Sequence, residues 1–379
     1  VSRHTAGWRL ACLIFLICLV ALRLPPSARA AEPQPASVPP AAAAAPVAAP
    51  APTTTPPAPA ATPQSAASTP PRFDLKRPEI AAFMRHQVEL GWNRAELRRL
   101  LRQAEPQPKI LEAIAKPAEK ALQWWEYRPR FMTHERIDAG ARIWREHRAE
   151  LADAASRYGV DPEYLLAIVG VETYYGRITG RYRVLDALAT LAFDYPPRAE
   201  FFRKELEQFL QLARAGELDP LATQGSYAGA MGATQFMPSS FRRYAVHGAG
   251  TQRPDLWSDW SDIFDSVGNY MHAQGWAYGQ PVLAEVELGT ASEPPPPAGV
   301  ALDDTLGALR ARGMQVASSL ADDMPCVLIA APLEGGSHWR VGFQNFRVIT
   351  RYNRSPLYAM AVHDLAEALA ARMREADAP

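Results

Sequence analysis

The sequence predicts an α+β fold, mainly α, on three observations. Apolar residues recur at helical spacing through most of the chain, cap-plus-proline pairs open two of the segments, and the stretch at about 280–350 changes to alternating and β-branched runs. Ile80, Phe83, Met84 and Val88 form the first helical stripe, which stops at Gly91. Asn93, with Glu96 three residues later, then starts "RAELRRLLRQA" in the manner of a capping box. This pair reads as scaffold, since packed helical pairs far outnumber DNA-binding ones. Asp161 followed by Pro162 supplies an N-cap and a first-turn proline for the helix that carries Glu172. Ser355-Pro356 repeats the signal before "LYAMAVHDLAEALAARM", where Leu357, Met360, Ala361, Leu365, Ala368 and Leu369 share one stripe. In the late region "PVLAEVEL" alternates, "CVLIAA" is a continuous apolar run, and "HWRVGF" and "FRVIT" favour strands, so a small sheet is expected there. The proline run "SEPPPPAG" reads as a loop or joint, and no solenoid repeat is present.

The 379 residues include forty basic and forty acidic side chains. Neither bulk nucleic acid nor an anionic membrane surface is therefore an expected partner, and any reader of a polyanion needs a local patch. Arg3 and Arg9 precede an apolar run from Leu10 to Leu22, and Ala28-Arg29-Ala30 offers small residues for a cleavage site. Residues 1–30 thus read as a secretory signal cut after Ala30, or as an inner-membrane anchor if left uncut. Residues 31–71 are almost only Ala, Pro, Thr and Ser, a disordered linker that would reach on the order of 100 Å when extended. The folded part, 72–379, is long enough for a sizeable core. Removing the signal leaves Cys326 alone, so no internal disulfide is expected and Cys326 reads as a small buried hydrophobe.

The chemistry concentrates in "LLAIVGVETYYGRITG". On the expected helix, Leu165, Ile168 and Val169 lie seven, four and three positions before Glu172, so the carboxyl shares their apolar face. Apolar surroundings disfavour the ionised form and make such a group a proton donor near neutral pH. The competing reading is a buried Glu paired with an Arg or capping backbone amides. Gly170 and Gly176 bracket the carboxyl and would admit a ligand or another chain, while Tyr174 and Tyr175 offer faces suited to sugars. "GSYAGAMGATQFMPSSF" gathers small residues around Ser226 and Gln235, a composition that fits either a wall close to a substrate or a tight helix crossing. There is no HExxH or GxSxG pattern, so zinc and serine hydrolysis have no support.

"GVETYYG", "LDALATLAFDYPPRAEFF", "GSYAGAMGATQFMPSSFRRYAV", "SVGNYMHAQGW" and "ITRYNRSPLYAMAV", in this order, resemble the membrane-bound lytic murein transglycosylase B family from about Phe73 to Met373. The resemblance implies a lysozyme-like catalytic core with a helical subdomain and a small late β-containing one. It also implies cleavage of the β-1,4 bond between N-acetylmuramic acid and N-acetylglucosamine in peptidoglycan, leaving 1,6-anhydromuramyl ends, with Glu172 as the single acid/base. Matching cleft positions are Tyr127, Arg198, Ser226, Gln235, Phe236, Met237, Tyr270, Tyr352, Asn353 and Tyr358. Gln235 and Ser226 would hold Glu172 or the muramyl acetamido group, tyrosines would stack on sugars or orient the carboxyl, Asn353 would bind an acetamide, and Arg198 would meet a peptide-stem or lactyl carboxylate.

Two features depart from the family pattern. Pro197 and Phe201 stand where Arg and Tyr are common, and "HGAGTQRPDLWSD" lacks the ladder of an EF-hand-like calcium loop, so no metal and no cofactor are expected. The implied setting is the periplasm, as a monomer acting on glycan strands, with cell-wall enzyme complexes as a second class of partner. Two alternatives stay open: a hydrolysing muramidase of goose-lysozyme type, and a non-catalytic peptidoglycan-binding scaffold.

Overall fold

The structure is a computed structural model that describes residues 71–115, 122–248, 253–295 and 299–377. The expected signal, and the expected linker except its last residue, lie outside the described residues.

The chain opens as its capping chemistry dictates. Helix α1 (Pro78–Glu89) buries Ile80 and Phe83. α2 (Arg94–Leu101) begins where the Asn93 side chain accepts the Ala95 and Glu96 amides, and it buries Leu97, Leu100 and Leu101. α3 (Pro108–Ala115) and the single turn α4 (Trp124–Tyr127) follow, the latter with Trp124 and Tyr127 inward. Thr133 caps α5 (His134–Glu146), and Gly159, in the left-handed conformation, ends α6 (Arg148–Tyr158).

Helix α7 (Pro162–Thr173) starts where the sequence predicts, but Asp161 makes no capping bond to it. Its carboxylate instead accepts the Trp276 indole N–H at 2.9 Å and the Gly279 amide at 3.0 Å, tying the entrance of α7 to a turn more than a hundred residues later. Pro162, with its φ preset for a helix, serves the start without that bond. Every residue from Tyr164 to Thr173 is buried, so α7 has no solvent face and runs through the centre of the molecule.

α8 (Val184–Asp194) is buried along nearly its whole length against α9 (Ala199–Arg214), which turns Phe202, Leu206 and Phe209 toward it. Before α8, β1 (Tyr182–Arg183) pairs antiparallel with β2 (Gln224–Gly225). α10 (Pro238–Tyr244) and α11 (Trp260–Ala273) complete the helical part ahead of the sheet.

The late sheet is antiparallel. β3 (Leu283–Glu287), β4 (Asp304–Thr305), β5 (Gln315–Val316), β6 (Pro325–Ala330) and β7 (Trp339–Gly342) are ordered β4-β6-β7-β3-β5, with α12 (Leu306–Ala311) between β4 and β5. Val286, Leu306, Leu309, Cys326, Leu328, Trp339 and Val341 form a core of their own beneath it. Cys326 is fully enclosed there, and burial pushes its thiol up to about 11, which keeps it protonated.

One expected strand is a helix. "FRVIT" lies within α13 (Gln344–Tyr352). Its β-branched residues also satisfy a helical period, since Asn345, Phe346, Val348 and Ile349 all turn inward. Asn345 fixes the helix by accepting the Ala277 amide and donating to the Ala277 and Gln280 carbonyls. Tertiary packing thus overrides β-propensity.

α14 (Pro356–Asp377) starts on a working Ser355 cap, whose Oγ accepts the Tyr358 amide at 3.3 Å. Its first turns are buried on more sides than the predicted stripe, because Tyr358, Ala359 and Val362 join Met360 and Ala361 in the core against α7. Among the described residues no helix is long and apolar enough to cross a membrane.

Candidate active site

Glu172 sits one residue from the end of α7 and is 7 % exposed. The Tyr358 hydroxyl, from the first turn of α14, donates to Glu172 Oε1 at 2.7 Å. Tyr358 is buried and Tyr352 half-buried, and desolvation first, then the Glu172 charge, holds both phenols well above their usual value. They are therefore neutral over the whole physiological range, and Tyr358 acts as a hydrogen-bond donor that orients the carboxyl. Tyr127 adds to the field on Tyr358, so α4, α7, α13 and α14 each bring a polar side chain to this point.

The helix end beside Glu172 is tightly constrained. Tyr174 and Tyr175 both take left-handed φ values, 53° and 58°, which non-glycine residues rarely adopt. Their amides close the helix on the Gly170 and Val169 carbonyls. The sequence leads one to expect a ligand or another chain against Gly170, but the space is taken by the Tyr175 ring. A Cβ there would lie 2.7 Å from the Tyr175 ring, which folds back under the helix. Arg136 donates to the Gly170 carbonyl and stacks 4.5 Å from the Tyr174 ring.

The Gly-rich stretch is neither a helix crossing nor a simple wall. It is a loop stitched by its own backbone: the Ser226 amide donates to the Ala230 carbonyl at 2.8 Å, and Met231 and Phe236 exchange amide bonds at 2.8 and 3.1 Å. Gly225 is needed because a Cβ would meet the Ala230 oxygen at 2.2 Å. Ser226 Oγ accepts the Ala228 and Ala230 amides, so this hydroxyl braces the loop. Gln235, itself left-handed at φ 51°, donates Nε2 to the Gly232 and Thr179 carbonyls. Its Oε1 has no partner among the described residues. Met237 is buried at the cap of α10.

An aromatic cluster joins this loop to the carboxyl. Tyr270 of α11 and Tyr352 lie 4.8 Å apart, and Phe236 is 5.8 Å from each. The Tyr270 hydroxyl donates to the Arg351 carbonyl and the Tyr352 hydroxyl to the Thr234 carbonyl, both at 2.6 Å. Asn353 ends α13 and accepts the Ser355 amide, which holds the turn into α14 and so the position of Tyr358.

Arg198 belongs to a second cluster. Its guanidinium lies 4.5 Å from the Phe201 ring and 4.9 Å from the Phe202 ring, and burial lowers its pKa. Its Nε is buried without a partner among the described residues. Phe201 thus supplies a ring face where the related pattern has a phenol.

The sequence reading missed Glu205, which is 4 % exposed and accepts both the amide and the hydroxyl of Ser239. Burial raises its pKa, and Arg198 opposes this. It fixes the start of α10, directly after the Gly-rich loop. The signal was available: Glu205 sits between Phe202 and Phe209 at helical spacing, the same test that singles out Glu172.

No three His, Cys, Asp or Glu side chains converge into a metal site among the described residues. After Val246, both Asp262 oxygens accept amides, from Gly248 at 2.5 Å and Asp255 at 2.7 Å. Asp255 accepts from Trp257 and Ser258, and Asp259 caps α11. Among the described residues of this stretch, these carboxylates are thus engaged by local amides.

The transglycosylase SLT domain family matches residues 76–367. The membrane-bound lytic murein transglycosylase B of Escherichia coli (strain K12) is 38 % identical over 289 residues, spanning 74 % of this chain and 79 % of that protein. The crystal structure of the soluble lytic transglycosylase SltB1 from Pseudomonas aeruginosa superposes with a TM-score of 0.74 at 46 % identity, covering 79 % of this chain and 100 % of that one. The Escherichia coli lytic transglycosylase Slt35, solved in complex with calcium, superposes with a TM-score of 0.72 at 37 % identity, covering 79 % and 96 %. A family match over most of the length, and a full relative well above the level at which fold and chemistry are shared, lead to one conclusion: this chain belongs to the transglycosylase SLT-domain family, the lytic murein transglycosylases.

Proposed function

We propose that this chain cleaves the bond between N-acetylmuramic acid and N-acetylglucosamine in peptidoglycan and leaves 1,6-anhydromuramyl ends, with Glu172 as the only acid/base. The observation that carries the reading is the buried Glu172 carboxyl, held by a neutral Tyr358 hydroxyl at 2.7 Å and ringed by tyrosines. The proposed first step needs the protonated acid, which low solvent access promotes and the Tyr358 donor opposes. In the first half, Glu172 gives its proton to the glycosidic oxygen, the bond from that oxygen to C1 breaks, and N-acetylglucosamine leaves with a free hydroxyl. The neighbouring N-acetyl group shares the positive charge at C1. In the second half, the C6 hydroxyl of the same muramyl sugar attacks C1 and its proton passes to the Glu172 carboxylate, which restores the acid. One carboxyl serves both halves because the nucleophile is tethered to the substrate, whereas most glycosidases need two.

The surrounding residues take roles that follow from their chemistry. Gln235 Oε1 is the acceptor for an acetamide N–H, and Phe236, Tyr270 and Tyr352 form an apolar floor for sugar rings. Tyr127 and Tyr358 orient Glu172. Asn353 binds an acetamide at the rim, Ser226 and Met237 keep the loop in place, and Arg198, with its buried Nε, receives a substrate carboxylate. The working chain is a periplasmic monomer comprising residues 72–379, exported by the signal at 1–30 and spaced by the linker at 31–71. An uncut signal would leave it at the inner membrane.

Digestion of purified sacculi followed by product masses tests the reading, since an anhydro end is one water lighter than a hydrolysed one. Glu172→Gln is expected to abolish solubilisation while binding to sacculi persists. Undiminished cleavage by that variant removes Glu172 from the mechanism, and hydrated ends from the unaltered chain reassign it as a muramidase.

A further inference from the structure

The overall charge of the chain is zero, yet one helix face is strongly basic. Arg94, Arg98 and Arg102 succeed one another at intervals of four, and Arg99 lies beside them. At about 100° per residue all four fall on one continuous face that also holds Ala95, with Leu97 and Leu100 on the other side and Leu101 at the border beside Arg94. All four are exposed, and among the described residues none of their side chains has a hydrogen-bond or ion-pair partner. Ala95, Arg98, Arg99 and Arg102 line a shallow depression. The nearest carboxylates do not neutralise the face. Glu96 lies about 60° beyond Arg99 around the helix, outside the face, and Glu105 is paired with Arg72 at 2.8 Å.

Two further observations say what would cover this face. It carries guanidinium forks but only a methyl group of apolar surface, a composition suited to phosphate oxygens and not to burying an apolar partner. Arg72 also donates to the Gln103 carbonyl at 2.8 Å, so the chain enters the described fold directly beside the end of α2. The residues ahead of that point include the apolar run Leu10–Leu22. Because no described helix can cross a membrane, any attachment made by the described part is peripheral.

We propose that the Arg94, Arg98, Arg99 and Arg102 face docks on an anionic phospholipid surface through its headgroup phosphates. Each basic residue near such a surface adds roughly fivefold to partition, and the effect fades beyond about 10 Å at 0.1 M salt. The full chain is sedimented with phosphatidylcholine vesicles and with vesicles that also contain phosphatidylglycerol. The apolar run partitions into both kinds, so the ratio between them reads the arginine face. An excess on the phosphatidylglycerol vesicles is expected, abolished by high salt and reduced roughly 100-fold in the triple variant Arg94→Gln, Arg98→Gln, Arg102→Gln, at three charges of about fivefold each. Glutamine keeps the helix propensity, so the melting temperature and the rate of sacculus solubilisation stay unchanged. Equal partition to both vesicles overturns the proposal, as does an excess that survives in the variant. Loss of binding to sacculi in the variant, with vesicle partition intact, also overturns it and gives the face to the carboxylates of peptidoglycan. None of these readouts depends on Glu172.

Discussion

A buried carboxyl is useful only if its orientation is fixed, and at Glu172 the Tyr358 hydroxyl contributes a donor at 2.7 Å to that orientation. Tyr358 is fully enclosed and its phenol cannot ionise near neutral pH, so in the proposed mechanism it would neither compete for the proton of Glu172 nor lose its donor role. Removing only the oxygen, in Tyr358→Phe, leaves the packing of α14 on α7 intact and frees the carboxyl to rotate. A hydrogen bond to a group that carries charge during the reaction is worth about 1.5–3 kcal/mol, so a loss of roughly ten- to a hundredfold in kcat is expected. The measurement is the rate of muropeptide release at saturating sacculi, with the melting temperature as control. An unchanged rate would mean that the carboxyl is positioned by something else. The two left-handed tyrosines that follow Glu172 belong to the same logic, since a strained helix end is held by packing on both sides and cannot swing its last carboxyl away.

The elements show which features the sequence exposes and which it hides. α7 and α14 were legible because cap, proline and apolar period coincide, and Glu172 was legible as an interruption of that period. The Gly-rich loop was legible only as composition. Its stitched backbone depends on carbonyls and amides, which every sequence has, so neither the exchange between Met231 and Phe236 nor the bracing by Ser226 could be read in advance. α13 was misread because Val348, Ile349 and Thr350 favour strands locally, and only contacts with residues 277–280 decide otherwise. Likewise "HGAGTQRPDLWSD" lacks the ladder of a calcium loop, so no calcium is expected there. In the structure Asp259 caps α11 while Asp255 and Asp262 accept loop amides, and a measurable consequence follows. A site filled a hundredfold above its Kd would add about 2.7 kcal/mol to stability, enough to raise Tm by several degrees. For this chain, millimolar calcium against EDTA is expected to leave Tm unchanged, and a rise of that size would show that Asp255, Asp259 and Asp262 can exchange backbone donors for a cation.

Across the whole molecule, the helical body and the late sheet are joined through polar contacts that α14 carries. Asp364 accepts from Arg128 at 2.5 Å and from Arg340 of β7 at 2.7 Å, and Arg340 reaches on to Glu285 of β3. His363, the neighbour of Asp364, is hydrogen-bonded to the Tyr164 hydroxyl of α7 at 2.7 Å, and burial pushes its imidazole down to about 4. The folded state therefore refuses a proton that the unfolded chain accepts near pH 6.5, so the stability His363 permits is complete above that pH and is lost as pH falls toward 4. Between pH 7 and pH 5 the loss amounts to about 2 kcal/mol. Glu205 and Glu163 act with the opposite sign, because burial raises their pKa values and their contribution weakens as pH rises through the carboxylate range. The wild-type curve blends these effects, and a variant isolates one of them. Urea unfolding of the full chain at pH 7 and pH 5 is expected to show a smaller fall for His363→Gln than for the unaltered chain, by about those 2 kcal/mol. Parallel falls in the two proteins would mean that His363 takes up its proton inside the folded molecule, and that the contact between α7 and α14 tolerates a charge beside the helix that holds Tyr358.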